Sequence, residues 1–407
     1  MTPKLLPFPQ EQLEEIAQTY GTPVFVTSEK ILRERARQMK SAFPMKKKIL
    51  YAIKANSNPH IVKILQDEGI DGIDTVSIFE VQLALDIGFS AENIVFTGAN
   101  PSDEELRFVH EKGVLVNAGS LSELERFGKM FPGGNIAVRI NPGVGAGLFA
   151  GNVTGGEKSK FGIPALQFEE AKEILKKYDL QLVGIHAHVG SGFYSPEEFV
   201  QSAELVLSEA KNFQDLEFVD FGGGFGIPYT EEKEHLDLQE FGRQIAEKLQ
   251  QFSQENGREI EMRIEPGRFL PCESTLLLAS VTTIKNTPTR TFVGLNTGMH
   301  HLIRPAMYGA YHHILNVSHP EAEKITADIV GNVCESSDFF ARDREIATPQ
   351  ENDLLAILDA GAYGTAMSSN YNLQPLAAEV LVRENGEIQL IKKRQTYEQM
   401  VENFGSF

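Results

Sequence analysis

At 407 residues the chain is too long for one ordinary core, so two domains are expected, one of them large enough to be an α/β barrel. Its 42% hydrophobic and 23% charged residues mark a globular protein, and a formal net charge of −18 argues against nucleic acid and anionic membranes as partners. Two cysteines, Cys272 and Cys334, exclude a disulfide framework and point to a reducing cytoplasm, and no apolar run is long enough to span a bilayer.

The N-terminal stretch has no apolar signal core. A first strand-like run, TPVFVTS (22–28), stands ahead of a long alternating pattern. From residue 49 to about 265, short apolar runs alternate with amphipathic segments. The runs are ILYAIK (49–54), GIDTV (72–76), NIVFTG (93–98), VLVNA (114–118), NIAVRIN (135–141), LVGIHAHV (182–189), LEFVDF (216–221) and EIEMRIE (259–265). Between them, Ser102, Ser120 and Ser195 each precede a glutamate by the spacing of a capping box, and Pro196 suits a first helical position. Gly88 and Gly113 read as helix stops. Eight strands alternating with helices predict a (β/α)8 TIM barrel. The rival, an open doubly wound sheet, lacks its fingerprint, because GGGFGI (222–227) puts Ile227 where G-x-G-x-x-G needs glycine.

Beyond about residue 275 the runs TLLLASVTTIK, TFVGLN, EKITADIVGNV, LLAILDA and EVLVREN are β-rich and separated by turn residues. They predict a second, mostly antiparallel β domain. The expected division is a barrel over 30–275 and a β domain over 276–407, joined by residues 1–29.

A barrel carries its chemistry at the C-terminal ends of its strands, and the unusual polar residues fall there. Lys54 ends the first run, on the strand face of Leu50 and Ala52. Asp74 and Ser77 follow the second run, Asn117 and Ser120 the fourth, Arg139 and Asn141 the fifth. His186, His188 and Ser191 follow the sixth, Gly222 to Gly224 the seventh, and Glu265-Pro266-Gly267-Arg268 the eighth. One such lysine is most simply a buried stem with a solvated head; a ring of polar strand ends is a site. The loops after strands seven and eight are the recurrent phosphate site of this fold, and a triple glycine exposes backbone N–H groups. Lysine, phosphate cradle and carboxylate together suit pyridoxal phosphate, which needs a Schiff-base lysine, a phosphate pocket and an acidic partner for its ring nitrogen.

These residues, with YAIKAN, HAHVGS, DFGGGFG, EPGR, IRPAMYGAYH, CESSDFF and DAGAYGTAMSSNYN in order, resemble the fold-type III pyridoxal-phosphate-dependent decarboxylases, most closely the branch acting on diaminopimelate. The resemblance runs from about residue 20 to the C-terminus and implies an alanine-racemase-like two-domain plan. It implies decarboxylation of meso-2,6-diaminopimelate to L-lysine and CO2, the last step of lysine biosynthesis. Lys54 would carry the cofactor, Glu265 would pair with its ring nitrogen, and His188 would stack on the ring. Ser191, Gly222, Gly223, Gly224, Gly267, Arg268 and Tyr363 would complete the cofactor site. Arg268, Arg304 and Tyr308 would face the remote carboxylate of the substrate and Glu335 its remote amine, with Tyr363 also among the substrate-binding residues. Cys334 would act over the opposite face of the cofactor from a partner subunit, which implies a homodimer with shared sites. Cys272 lies in the same tripeptide, CES, but without SDFF after it, and reads as a buried thiol. The chain departs from the family pattern at Asn296, His300, His301 and Gln374, and in the loop over 145–162.

Other readings remain beside this one. A decarboxylase of lysine, ornithine or arginine would leave the arginines without a remote carboxylate. A metal-dependent hydrolase barrel would use His186 and His188 on one strand face, but no further histidine follows at strands seven and eight, and no metal is expected. A non-catalytic pyridoxal-phosphate barrel would not need CESSD and DAGAY, and a racemase would need a second base facing Lys54.

Overall fold

The computed structural model describes residues 4–141, 143, 159–188, 190–213 and 215–405. The chain divides into two compact units, one of residues 35–227 and 235–269, the other of residues 1–34, 228–234 and 270–407.

In the first unit the alternating runs form a closed barrel of parallel strands. In chain order they are Lys47–Ala52, Gly72–Thr75, Ile94–Phe96, Leu115–Ala118, Asn135–Asn141, Gln181–His186, Phe218–Asp220 and Glu261–Ile264. Each pairs with the next, and Glu261–Ile264 pairs with Lys47–Ala52 to close the ring. Helices return the chain between strands, among them Pro59–Asp67, Ile78–Ile87, Asp103–Glu111, Leu121–Met130 and Pro196–Ala210. The helix starts follow the sequence in part. Ser102 and Glu105 form a reciprocal capping box. Ser120 caps its helix, but Glu123 turns back to the Gly119 amide (3.0 Å) rather than to Ser120. Ser195 stands at the N-cap before Pro196 without a side-chain cap bond. Gly88 ends its helix in the left-handed conformation, where a glycine costs nothing sterically.

Inside the barrel, Ala137, Val183 and Phe218 cluster with Leu115. Two residues further along three of those four strands, Asn117, Arg139 and Asp220 are polar and buried. The interior therefore changes from apolar to polar toward the strand C-termini, because alternate residues share a face.

The second unit is a mostly antiparallel sheet. Its spatial order is Phe339–Ala347, Lys324–Val330, Thr291–Leu295, Thr275–Asn286, Val24–Ser28, Ala378–Val382, Ile388–Lys392. Leu354–Ile357 pairs with both Thr275–Asn286 and Ile314–Asn316. Val24–Ser28 lies antiparallel to Thr275–Asn286 and parallel to Ala378–Val382. The first half of Thr275–Asn286, as far as Val281, is buried from both faces: Leu277, Ala279 and Val281 join one apolar cluster, and Leu276 and Leu278 another. Among the described residues no helix is long and apolar enough to cross a membrane.

Candidate active site

The stretch after the first barrel strand fixes where Lys54 stands. The strand stops at Ala52, and Ile53–Ala55 form one turn of 3-10 helix, so Lys54 leaves the strand face it was expected to share. Asn56 Oδ1 accepts from the Asn58 amide, and Asn58 caps the following helix through the His60 amide, with Pro59 in its first turn. The Tyr51 hydroxyl donates to the Asn56 carbonyl (2.9 Å). This short Asn- and Pro-rich link converts strand to helix at once and holds Lys54 at the barrel mouth. The Lys54 side chain is 38% exposed, and its Nζ lies 2.5 Å from Oδ2 of the buried Asp74.

Around it the strand ends place a buried ionic cluster. His186 Nε2 is 3.1 Å from Glu265 Oε2. Burial alone would raise the Glu265 carboxyl, but His186 and Lys54 outweigh it and hold Glu265 down at about 2. Asp220 is pushed up to about 7 by burial and then by the Glu265 charge. Burial and the same charge raise Asp74 against the pull of Lys54. Neighbouring carboxyl groups are thereby driven apart, and Glu265 is the one kept as an anion. Its Oε1 is buried and has no hydrogen-bond partner.

His188 lies beyond the end of its strand, which stops at His186. The Gly223 amide donates to His188 Nδ1 (3.1 Å), so the proton of the neutral ring sits on Nε2. Burial, then the charges of Arg139 and Lys54, lower the His188 pKa well below its ordinary value. Arg139 is buried beside the cluster and stacks 4.8 Å over the Phe161 ring.

The glycine triplet differs from three open amides. Gly222 N–H donates to Asp220 Oδ1 (2.8 Å) and Gly223 N–H to His188, so two of the three orient side chains. A Cβ on Gly223 would meet the Glu265 carbonyl oxygen at 2.0 Å, and one on Gly224 the Phe193 ring at 2.2 Å. Close backbone packing thus requires these glycines independently of any phosphate. Nearby, Arg268 Nη2 donates to Ser191 Oγ (3.2 Å), which joins the loops after strands six and eight. Pro266 and Gly267 are buried between Glu265 and Arg268.

The other expected residues lie in the β unit. Arg304 opens the short helix Arg304–Tyr308 and is fully buried, while Tyr308 is half-buried at its end. Cys334 and Glu335 are exposed. Their loop is pinned by the buried Asp338, whose carboxylate accepts from the amides of Met299 (2.6 Å) and Val333 (3.0 Å). The Cys334 amide donates to Asn372 Oδ1 (2.6 Å). Tyr363 adopts φ 57, an uncommon conformation for a bulky residue. Cys272 is buried, with Sγ 3.2 Å from the Tyr229 hydroxyl. Of the departures, Asn296 bonds Ser280 and Thr22, and His301 bonds Thr297 and Pro375. His300 is buried with neither ring nitrogen hydrogen-bonded, and burial lowers it to about 4. Most of the loop over 145–162 lies outside the described residues.

Residues 29–271 match the family described as pyridoxal-dependent decarboxylase, pyridoxal binding domain. The chain belongs to the pyridoxal-dependent decarboxylases. Within them it is a carboxy-lyase of the diaminopimelate decarboxylase family: the diaminopimelate decarboxylase of Methanothermobacter thermautotrophicus is 43% identical over 403 residues, covering 95% of this chain and 92% of that one. A crystal structure of diaminopimelate decarboxylase matches with a TM-score of 0.90 at 35% identity, over 97% of this chain and 96% of that one. The Helicobacter pylori diaminopimelate decarboxylase, complexed with L-lysine, matches with a TM-score of 0.88 at 32% identity, over 96% and 98%.

The metal-hydrolase alternative gives way to the family match. It required His186 and His188 on one strand face, and the strand ends between them. His186, Asp220 and Glu265 offer one atom each within 4.8 Å of one another, and His186 and Glu265 share a hydrogen bond. Asp220 is the site residue that the sequence reading missed. Its signal was available: an acidic residue directly before a glycine triplet at a strand end.

Proposed function

We propose that this protein removes CO2 from meso-2,6-diaminopimelate to give L-lysine, with pyridoxal 5'-phosphate as cofactor. The observation that carries the substrate is the 43% identity over nearly the whole chain to a diaminopimelate decarboxylase. The cofactor fits the residues present. Glu265 is held as an anion with one oxygen buried and unpaired, which suits the protonated ring nitrogen of a pyridine. When bound, pyridoxal phosphate supplies an electron sink for the pair left behind by the departing carboxylate.

The chain's own residues supply the rest. Lys54, partly exposed at the barrel mouth, is the covalent anchor, and Asp74 orients its amine. His188 is neutral and its Nδ1 lone pair is engaged, so it offers a ring without adding positive charge beside the cofactor. Ser191, Gly222 to Gly224, Gly267, Arg268 and Tyr363 serve the cofactor and its phosphate. Loss of CO2 leaves a position on the α-carbon that a proton must fill, and Cys334 serves the face opposite Lys54. Arg268, Arg304 and Tyr308 fix the remote carboxylate and Glu335 the remote ammonium, with Tyr363 also lining the substrate, so the α-carboxylate is presented for cleavage. Cys334 and Glu335 come from a second copy, which makes the homodimer the active unit. Two free cysteines suit the reducing cytoplasm.

The test is CO2 release from meso-diaminopimelate, lysine, ornithine and arginine. Diaminopimelate should be turned over best by a wide margin. Arg304→Ala should cost its kcat/KM about 2–4 kcal/mol, as for breaking a buried charged pair, and change the weak turnover of lysine much less. A preference for lysine or ornithine would sink the substrate assignment and leave the second reading, a decarboxylase of another diamino acid.

A further inference from the structure

Arg304 is 2% exposed, and a guanidinium at that depth has to be matched by acceptors or ring faces. Its Nη1 lies 2.8 Å from His312 Nε2, and its Cζ sits 4.7 Å over the Tyr229 ring. His312 is itself buried, with Nδ1 2.8 Å from the carbonyl oxygen of Leu358. A carbonyl only accepts, so Nδ1 carries the proton, and the neutral ring turns the lone pair of Nε2 toward Arg304. Tyr229 is held in turn, edge-on to His312 at 5.6 Å, with its hydroxyl 3.2 Å from Cys272 Sγ.

The choice of an imidazole matters chemically. A carboxylate in that place would neutralise the guanidinium and compete with an anionic ligand. Neutral His312 fixes the rotamer while leaving the positive charge whole, and its bond uses one of five N–H donors. The nearby Asp359 pairs instead with Lys4. We infer that His312, locked in one tautomer by the Leu358 carbonyl, is the positioning residue that holds Arg304 ready for the remote carboxylate of the substrate. Selectivity for a dicarboxylic diamino acid then depends on His312 as well as on Arg304. The inference rests on the substrate role proposed for Arg304.

The experiment uses purified holoenzyme carrying His312→Leu, His312→Gln, His312→Asn or Arg304→Ala, with thermal melting to confirm folding. For each, KM and kcat are measured with meso-diaminopimelate, and the inhibition constant with L-lysine, which has no remote carboxylate. His312→Leu should raise KM about 10- to 100-fold, the scale of losing a hydrogen bond to a charged group, with kcat and the lysine constant nearly unchanged. His312→Gln keeps an acceptor within reach of Arg304 and should restore KM to within a few-fold of the parent. His312→Asn keeps the donor to Leu358 but is too short to reach Arg304, so it should behave like His312→Leu and replaces it if the leucine variant does not fold. A parent-like KM in the leucine and asparagine variants, or equal losses for diaminopimelate and lysine, would overturn the inference. If Arg304→Ala alone raises KM, the inference falls and the substrate reading stands. If Arg304→Ala leaves KM unchanged, both fall.

Discussion

Lys54 and Glu265 show how single residues acquire roles from their surroundings. Lys54 belongs to a turn rather than to a strand, with its amine against a buried aspartate. Lys54→Ala should fold, bind pyridoxal phosphate only reversibly, and lose turnover by about 10³-fold or more, the scale of removing a nucleophile. Mass spectrometry after borohydride reduction checks this, and a cofactor adduct on another lysine would refute it. Glu265→Gln keeps the shape and removes the charge that His186 stabilises. It should raise the dissociation constant of the cofactor about 10- to 100-fold, as for losing a charge-assisted hydrogen bond. Fluorescence titration of the apoenzyme measures it, and an unchanged constant would remove Glu265 from the ring nitrogen.

The elements tell how far periodicity and capping chemistry reach. All eight barrel strands overlap short apolar runs visible in the sequence, because a barrel strand is buried on both faces, by the interior and by the helix layer. The strand ends were less legible. ILYAIK and LVGIHAHV both stop short, at Ala52, where a turn of 3-10 helix replaces the ladder, and at His186. Phe339–Ala347 and Ile388–Lys392 were missed, since FFARDREIA and IQLIK carry charge and little apolar contrast. The polar ring was visible as residue types, whereas the His186–Glu265 bond and the Asp220 turn depend on distances that no spacing encodes. The helix Leu121–Met130 gives a test at this scale. Burial pushes Glu123, at its start, up to about 7 from 4.5, against the Gly119 amide and Arg126. A raised carboxyl favours the protonated fold, so its penalty is absent below about pH 4.5, grows between, and is complete above about pH 7. Glu123→Gln retains an acceptor for Gly119 and should be neutral at pH 4.5 and stabilising at pH 8, by at most about 3 kcal/mol. Equal melting shifts at both pH values would show that Glu123 does not titrate there.

At the scale of the whole molecule the question is which chain completes a site. The barrel unit carries Lys54, His188 and Glu265, and the β unit presents Cys334 and Glu335 exposed on a loop that Asp338 holds rigid. So well-anchored a loop presents its exposed thiol and carboxylate in fixed positions to a docking partner. If that partner is a second copy related by a twofold axis, each of two sites draws on both chains. Lys54→Ala and Cys334→Ala chains are then each inactive alone, but a mixed dimer contains one site with both residues intact. Random exchange of equal amounts makes about half of the dimers mixed, each with one of two sites working, so recovery should approach about a quarter of parental activity. Subunit exchange is confirmed by native mass spectrometry with one chain isotopically labelled, and activity is followed as CO2 release. Exchange without recovery would mean that Cys334 does not serve the Lys54 site of another chain.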